Sequence, residues 1–258
     1  VYYFKDTGDA IMPYVKRTVI AGDTIEVTKY FSSRYGGKKS PRSLNEKETS
    51  EKQKKVNENH AEAALRQLFN TNFHPNDFSL SLTYPNDSRP SPEEAKENLK
   101  HFKREMRKLY KKNGAELKYI CTTEYERKNL HHHMVCNSGA VNLKEIQEIW
   151  EECCGRNILC SFLYQDKNYK KLAEYYIKET NKTFSNEDAP NKKRWESSRN
   201  LKKPEIKRTI VDSNYWRENP LPIKGYYIEP DSVFNSVDEY FGRPYQHYIM
   251  RRCDKPKK

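Results

Sequence analysis

Between Phe78 and Tyr84 apolar and polar residues alternate without a break: Phe78, Leu80, Leu82 and Tyr84 point one way, Ser79, Ser81 and Thr83 the other. Period-two alternation makes a strand with one greasy and one polar face, and the greasy face needs cover. Pro85 ends the strand. Cover follows at once. Ser91-Pro92-Glu93-Glu94 reads as a helix start, with a capping hydroxyl, Pro at the first helical position and acids in the first turn. Ala95, Leu99, Phe102, Met106, Leu109 and Tyr110 carry that helix at helical spacing to Asn113-Gly114. Strands Leu117–Tyr125 and Leu130–Asn137 form a predicted antiparallel hairpin, followed by a helix at Asn142–Cys153, a strand at Ile158–Tyr164 and a helix at Asn168–Thr180. Strand, helix, strand, strand, helix, strand is the order of an α+β, antiparallel split βαβ sheet, ferredoxin-like or RRM-like, here with an extra helix at its end.

The flanks are different in character. Arg17–Ile20 and Ile25–Tyr30 enclose Ala21-Gly22-Asp23-Thr24 and predict a β-ribbon. Ser32 to Ser50 reads as a basic loop, and Glu46–Asn70 as one long helix. Gly37-Lys38-Lys39-Ser40 is not a phosphate-binding loop, because position 32 is Ser where the first Gly belongs and Lys39 separates Lys38 from Ser40. Beyond Asn181 the chain is basic and poor in aliphatics, with strands expected at Glu205–Val211 and Gly225–Ile228. The predicted organisation is therefore an N-terminal ribbon, basic loop and helix (1–75), a split βαβ core (76–182) and a basic C-terminal extension (183–258).

Charge narrows the partner. The 258 residues carry a net +12 and include nineteen tyrosines, a balance that favours a polyanion with bases available for stacking. No apolar run approaches the roughly 20 residues needed to span a bilayer. The opening VYYFKDTGDA has neither the basic start nor the apolar run of a secretory leader, and six irregularly spaced cysteines with no Cys-x-x-Cys suit reduced thiols, so a cytoplasmic location is expected. One zinc-type grouping would join His133, Cys136 and Cys153–Cys154; plain packing of these thiols is the competing reading.

The chemistry concentrates at His131-His132-His133. In a strand, His131 and His133 share one face and His132 takes the other. Across the short connection, Glu124 lies seven residues before His131, where a hairpin brings its carboxylate alongside. Two imidazoles and a carboxylate make a facial set with open positions, suited to Mn²⁺ or a related divalent ion, with Mg²⁺ an alternative. A solvated strand face that merely carries histidines is the bland alternative. On the last helix Tyr169, Leu172, Ala173, Tyr176, Ile177 and Thr180 form the packing stripe, while Lys171, Tyr175 and Lys178 face away. Tyr176 is thus read as core, Tyr175 as an available phenol, and Lys178 as nearby positive charge.

Taken in order, these residues resemble the HUH endonuclease superfamily, and more closely the rolling-circle replication initiators of plasmids and phages related to the gene II protein of filamentous phages. FSLSLTYP (Phe78–Pro85) is similar to the first family motif, His131-His132-His133 to the His-hydrophobe-His motif, and Leu172–Lys178 to the nucleophile motif with its Tyr-x-x-Lys. Ser198–Glu205 resembles a segment that follows the catalytic helix in the gene II-like group. The family's middle position is usually apolar; here it is His132, which opens the question of register. The resemblance implies metal-dependent nicking and rejoining of single-stranded DNA at a replication origin, with Tyr175 forming a 5′-phosphotyrosine and host helicase and polymerase as partners. Arg199, Lys202, Lys203, Arg34, Lys38 and Lys39 are the candidate DNA contacts, with Trp195 available for stacking.

Three other readings remain at this point. A relaxase or single-tyrosine transposase would use similar chemistry. An RRM-like binding protein would share the sheet but has no use for His-x-His, and a mononuclear iron oxygenase would not need Tyr175 and Lys178.

Overall fold

The computed structural model describes residues 14–32, 50–125, 130–139, 141–154, 158–164, 168–184, 193–211, 216–237 and 242–253. They form two compact units, one from residues 51–202 and one from the segments 1–50 and 203–258. Packing therefore groups the chain differently from three consecutive segments, because the strands after residue 203 pair with the ribbon and the first long helix packs inside the other unit.

The ribbon is β1 (Tyr14–Ala21) and β2 (Thr24–Phe31), with Ala21 opposite Thr24. Gly22 turns the chain at φ 58°, a left-handed conformation that costs glycine little. Thr24 Oγ1 donates to Ala21 O at 2.8 Å and closes the turn.

The second unit begins with α1 (Glu51–Asn72); of its expected start, residues 46–49 lie outside the described residues. Next come β3 (Phe78–Thr83), α2 (Pro92–Lys112), β4 (Tyr119–Glu124), β5 (His131–Cys136), α3 (Leu143–Cys154), β6 (Leu159–Phe162), α4 (Lys170–Phe184) and β7 (Glu196–Ser197). The sheet order is β6-β3-β5-β4-β7, with all pairs antiparallel. Its first four strands have the split βαβ order expected from the sequence. Ser91 and Glu94 form the reciprocal capping box at the start of α2, the Glu94 amide donating to Ser91 Oγ at 3.2 Å and the Ser91 amide to Glu94 Oε2 at 2.7 Å.

Alternation sorts this sheet into two covers. Phe78, Leu80, Leu82, Tyr84, Cys121, Met134 and Cys136 pack with Leu99, Phe102, Met106 and Tyr110 of α2 and Ile146 and Trp150 of α3. Ile120 and Val135 face the other way, onto Leu65 and Phe69 of α1 and Ala173, Tyr176 and Ile177 of α4. Burial of this kind, at about 25 cal/mol per Å² of apolar surface, is the main force holding helices to sheet.

The first unit is completed by β8 (Glu205–Ile210), β9 (Tyr226–Ile228), a single 3-10 turn at Pro230–Ser232, β10 (Phe234–Val237) and β11 (Pro244–Arg252). Its sheet runs β10-β11-β2-β1-β8, with β9 also on β11. Ile25, Val27, Tyr248 and Met250 form its core. The pairing of β1 with β8 and of β2 with β11 had no signal in local sequence.

Candidate active site

The register at the centre of the five-stranded sheet decides what faces α4. Glu124 pairs with His131, Thr122 with His133 and Thr123 with His132 across β4 and β5; on the other side Ser81 pairs with His133 and Leu82 with His132. His131, His133, Glu124 and Ser81 thus share the α4 face, and His132 points into the core beneath α2 and α3.

On that face the donor atoms converge. His131 Nε2 lies 2.9 Å from His133 Nε2 and 3.4 Å from Glu124 Oε2, and one ligand atom from each residue lies within 4.8 Å of the other two. Bonds of about 2.1 Å at right angles around one ion put adjacent donors about 3.0 Å apart, so the imidazole pair is spaced as two cis ligands would be. Glu124 and His133 are buried and His131 is half-buried, which limits competition from water. The set can hold a metal ion, and its two nitrogens and one carboxylate suit a transition-type divalent cation better than calcium. Ser81 Oγ sits 3.2 Å from His133 Nδ1 and orients that ring from behind.

Tyr175 reaches the cluster from α4. Its hydroxyl is 3.1 Å from His133 Nε2 and the two rings stand edge to face, 5.1 Å apart. Tyr175 is 43% exposed and the adjacent Tyr176 1% exposed, so helical spacing separates the two phenols as the packing stripe predicts. The Tyr176 hydroxyl is buried without a hydrogen-bond partner among the described residues, and its ring packs on Phe69. Lys178 is exposed, one turn on from Tyr175.

The electrostatics favour a cation here. Burial, then Glu179 and Glu124, raise the Tyr175 phenol above its ordinary value, which makes the phenolate harder to form without added positive charge. Burial and the His131 ring beside it lower His133 to about 4, so it is neutral and free to ligate at physiological pH. His132, with no exposed surface, is lowered to about 3 by burial, and both of its ring nitrogens are bonded: Nε2 lies 2.8 Å from Tyr84 Oη and Nδ1 2.8 Å from Thr123 Oγ1.

Among the described residues of this unit, the remaining candidates are not brought to this cluster. β7 pairs Glu196 with Cys121 and Ser197 with Ile120, and the chain then continues toward Tyr119, away from Glu124. Arg199 is exposed just past β7, which runs along β4 away from Glu124, and Lys202 is exposed with its backbone bonded to Asn72 of α1; Lys203, also exposed, belongs to the other compact unit. Trp195 packs against the α1 and α4 cluster rather than standing free for a base. Arg34, Lys38 and Lys39 lie outside the described residues. The zinc-type grouping fails geometrically, because Cys136 lies in the α2 and α3 core, on the face opposite His133, and all six cysteines are free thiols.

Sequence reasoning missed Ser81, Thr123, Tyr84 and Glu179. Ser81 had a signal, since it lies on the polar face of Phe78–Tyr84, and Glu179 is four residues on from Tyr175, one helical turn. The hydroxyls on His132 depend on strand pairing and had none.

An α+β unit with a His-His-Glu cluster faced by a half-exposed tyrosine is thus the class of site defined here. Residues 77–184, which span that unit from β3 to the end of α4, match the model of a family of replication-associated proteins that takes in ORF2 and the gene II protein. The match covers less than half of the chain and supports a protein related to the gene II group of replication initiators. No curated protein and no solved structure matches the chain. None of the described helices is long and apolar enough to cross a membrane.

Proposed function

We propose that the protein is a rolling-circle replication initiator that nicks and rejoins single-stranded DNA at an origin, with Tyr175 as the nucleophile. The observation that carries this reading is the Tyr175 hydroxyl at 3.1 Å from an imidazole nitrogen that itself lies 2.9 Å from its neighbour's. A purely structural tyrosine would pack or bond within the core, as Tyr176 does.

Glu124, His131 and His133 would hold a divalent ion, Mn²⁺ ahead of Mg²⁺ given the two nitrogen donors. Such an ion, when bound, supplies positive charge against the non-bridging phosphate oxygens and the leaving oxygen. Tyr175 Oη forms a bond to the scissile phosphorus and the bond from phosphorus to the 3′ oxygen breaks. The phenol's proton leaves to solvent and the 3′ oxygen gains one, giving a 5′-phosphotyrosine and a free 3′-hydroxyl. One phosphoester replaces another of similar energy, so attack by a 3′-hydroxyl reverses the step without ATP. Forming the phenolate at pH 7 from an ordinary tyrosine costs roughly 4 kcal/mol, and the raised Tyr175 value adds to that cost. Lys178, one turn away, offsets part of it when DNA closes the site. Arg199, Lys202 and Lys203 would hold backbone phosphates of the bound strand, and the free 3′ end would then serve the host helicase and polymerase.

The test uses end-labelled single-stranded origin DNA with Mn²⁺ and a denaturing gel. A covalent adduct is expected, lost in Tyr175→Phe, His131→Ala and His133→Ala, and kept in Tyr176→Phe. Equal loss in both tyrosine variants, or an undiminished adduct after chelation, would overturn the assignment.

A further inference from the structure

We propose that His132 is the positioning residue of the site: bonded from inside the core to both neighbouring strands, it holds the histidine end of β5 in the register that turns His131 and His133 toward Tyr175. This rests on the metal-site reading above and adds to it the device that fixes the ligands.

The need for such a device follows from the sequence of β5. His131-His132-His133-Met134-Val135-Cys136 contains three like residues followed by three apolar ones. A one-residue slip would still put a histidine on the site face and apolar side chains on both faces, so hydrophobic alternation, which sets register in most half-buried strands, has little to choose between. Neighbouring β3 alternates strictly and so does not share this ambiguity.

The far end of β5 has its own clamp. Asn137 donates its amide to Lys118 O at 3.2 Å and accepts from the Lys118 amide at Oδ1 at 2.7 Å, while Ser138 N donates to Asp77 Oδ1 at 2.8 Å. That clamp lies four residues or more beyond His133. At the histidine end the corresponding contacts belong to His132. Its Nδ1 meets Thr123 Oγ1 on β4 and its Nε2 meets Tyr84 Oη just past β3, each at 2.8 Å, so one ring ties together all three strands that carry the site. Tyr84 and Trp150 pack edge-on against the ring at centroid distances of 5.7 and 6.0 Å. Thr123 immediately precedes Glu124, so the same contact sets the carboxylate that faces His131. A buried ring with both nitrogens satisfied holds its strands to one arrangement, since a one-residue slip turns His132 out of the core and breaks both of its bonds.

The experiment separates positioning from bulk stability. His132→Leu alone would take from the Tyr84 and Thr123 hydroxyls their bond to the buried ring, so the decisive protein is the triple variant His132→Leu, Tyr84→Phe, Thr123→Val, which removes the ring and both hydroxyls that face it together and is expected to cost folding less than the single change. Full-length parent and variants are titrated with Mn²⁺ by electron paramagnetic resonance and melted in parallel. The triple variant is expected to keep a cooperative melt close to the parent's while losing about tenfold or more in Mn²⁺ affinity, the range seen when groups behind metal ligands are removed. Tyr84→Phe, which keeps the ring and its Thr123 contact, should fall between. Parent-like affinity in both variants would overturn the proposal. A triple variant that no longer folds leaves Tyr84→Phe to decide alone, with unchanged affinity there overturning it. Failure of the parent itself to bind Mn²⁺ would instead sink the metal-site reading.

Discussion

Tyr175 and Tyr176 are neighbours in the chain with opposite fates, and the sequence already separated them, because a helix advances about 100° per residue and the apolar stripe of α4 includes one and not the other. His131 and His133 were legible for a similar reason, the two-residue period of a strand. What was not legible at this scale is how each ring is held, since Ser81, Thr123 and Tyr84 meet the histidines through strand pairing rather than through spacing. One consequence is acid sensitivity. His132 is lowered to about 3 against about 6.5 in an unfolded chain, so between those values the unfolded state binds a proton that the folded state refuses. Its contribution is complete above about pH 6.5 and is lost as pH falls from there toward 3, with a slope of about 1.4 kcal/mol per pH unit. Urea midpoints measured in a chelator at pH 7, 6, 5 and 4 should decline from pH 6.5 downward, before the carboxylates titrate. The decline should be shallower in the triple variant, and equal profiles would exclude His132 as its source.

Elements with strong local signals came out of the sequence nearly intact. The capping box places the start of α2, and strict alternation places β3 within a residue of its end. β7 was missed because Glu196–Ser197 is two residues long, with no pattern to read. β10 and β11 were missed because a mixed run such as Tyr245-Gln246-His247-Tyr248 becomes a strand through a partner, β2, far away in sequence. The segment after β7 is likewise held by a distant element. Asn72, the last residue of α1, donates from Nδ2 to Lys202 O at 2.8 Å and accepts from the Lys202 amide at 2.7 Å. Asn72→Ala should leave both groups of Lys202 without their partner at a cost of about 1–3 kcal/mol, and hydrogen exchange at the Lys202 amide should accelerate while the Tyr175 amide is unaffected. Unchanged exchange at Lys202 would show that β7 alone anchors this stretch.

At the scale of the whole molecule, the unit that carries the candidate site closes on itself. Both covers of its sheet, and every residue of the His-His-Glu cluster and Tyr175, come from residues 51–202. A fragment of those residues is therefore expected to melt cooperatively and to bind Mn²⁺ with an affinity close to that of the full chain. A fragment without a cooperative transition would mean that the other unit is needed for folding. The excess of 48 basic over 36 acidic side chains suits a polyanion, yet within this unit the chain that leads to Arg199 runs along β4 away from Glu124 of the cluster.

The six-stranded sheet takes its strands from before and after that unit in the chain: β1 finds its partner β8 roughly 200 residues later, where Val15 meets Ile210. On a ribosome the early ribbon emerges first, but its neighbours arrive only after the whole intervening unit has been made, and closing so long a loop is slow. The sheet begun earliest is finished last. Until then β1 and β2 have open edges, so overexpression is where this protein would aggregate, through its oldest strands rather than its newest.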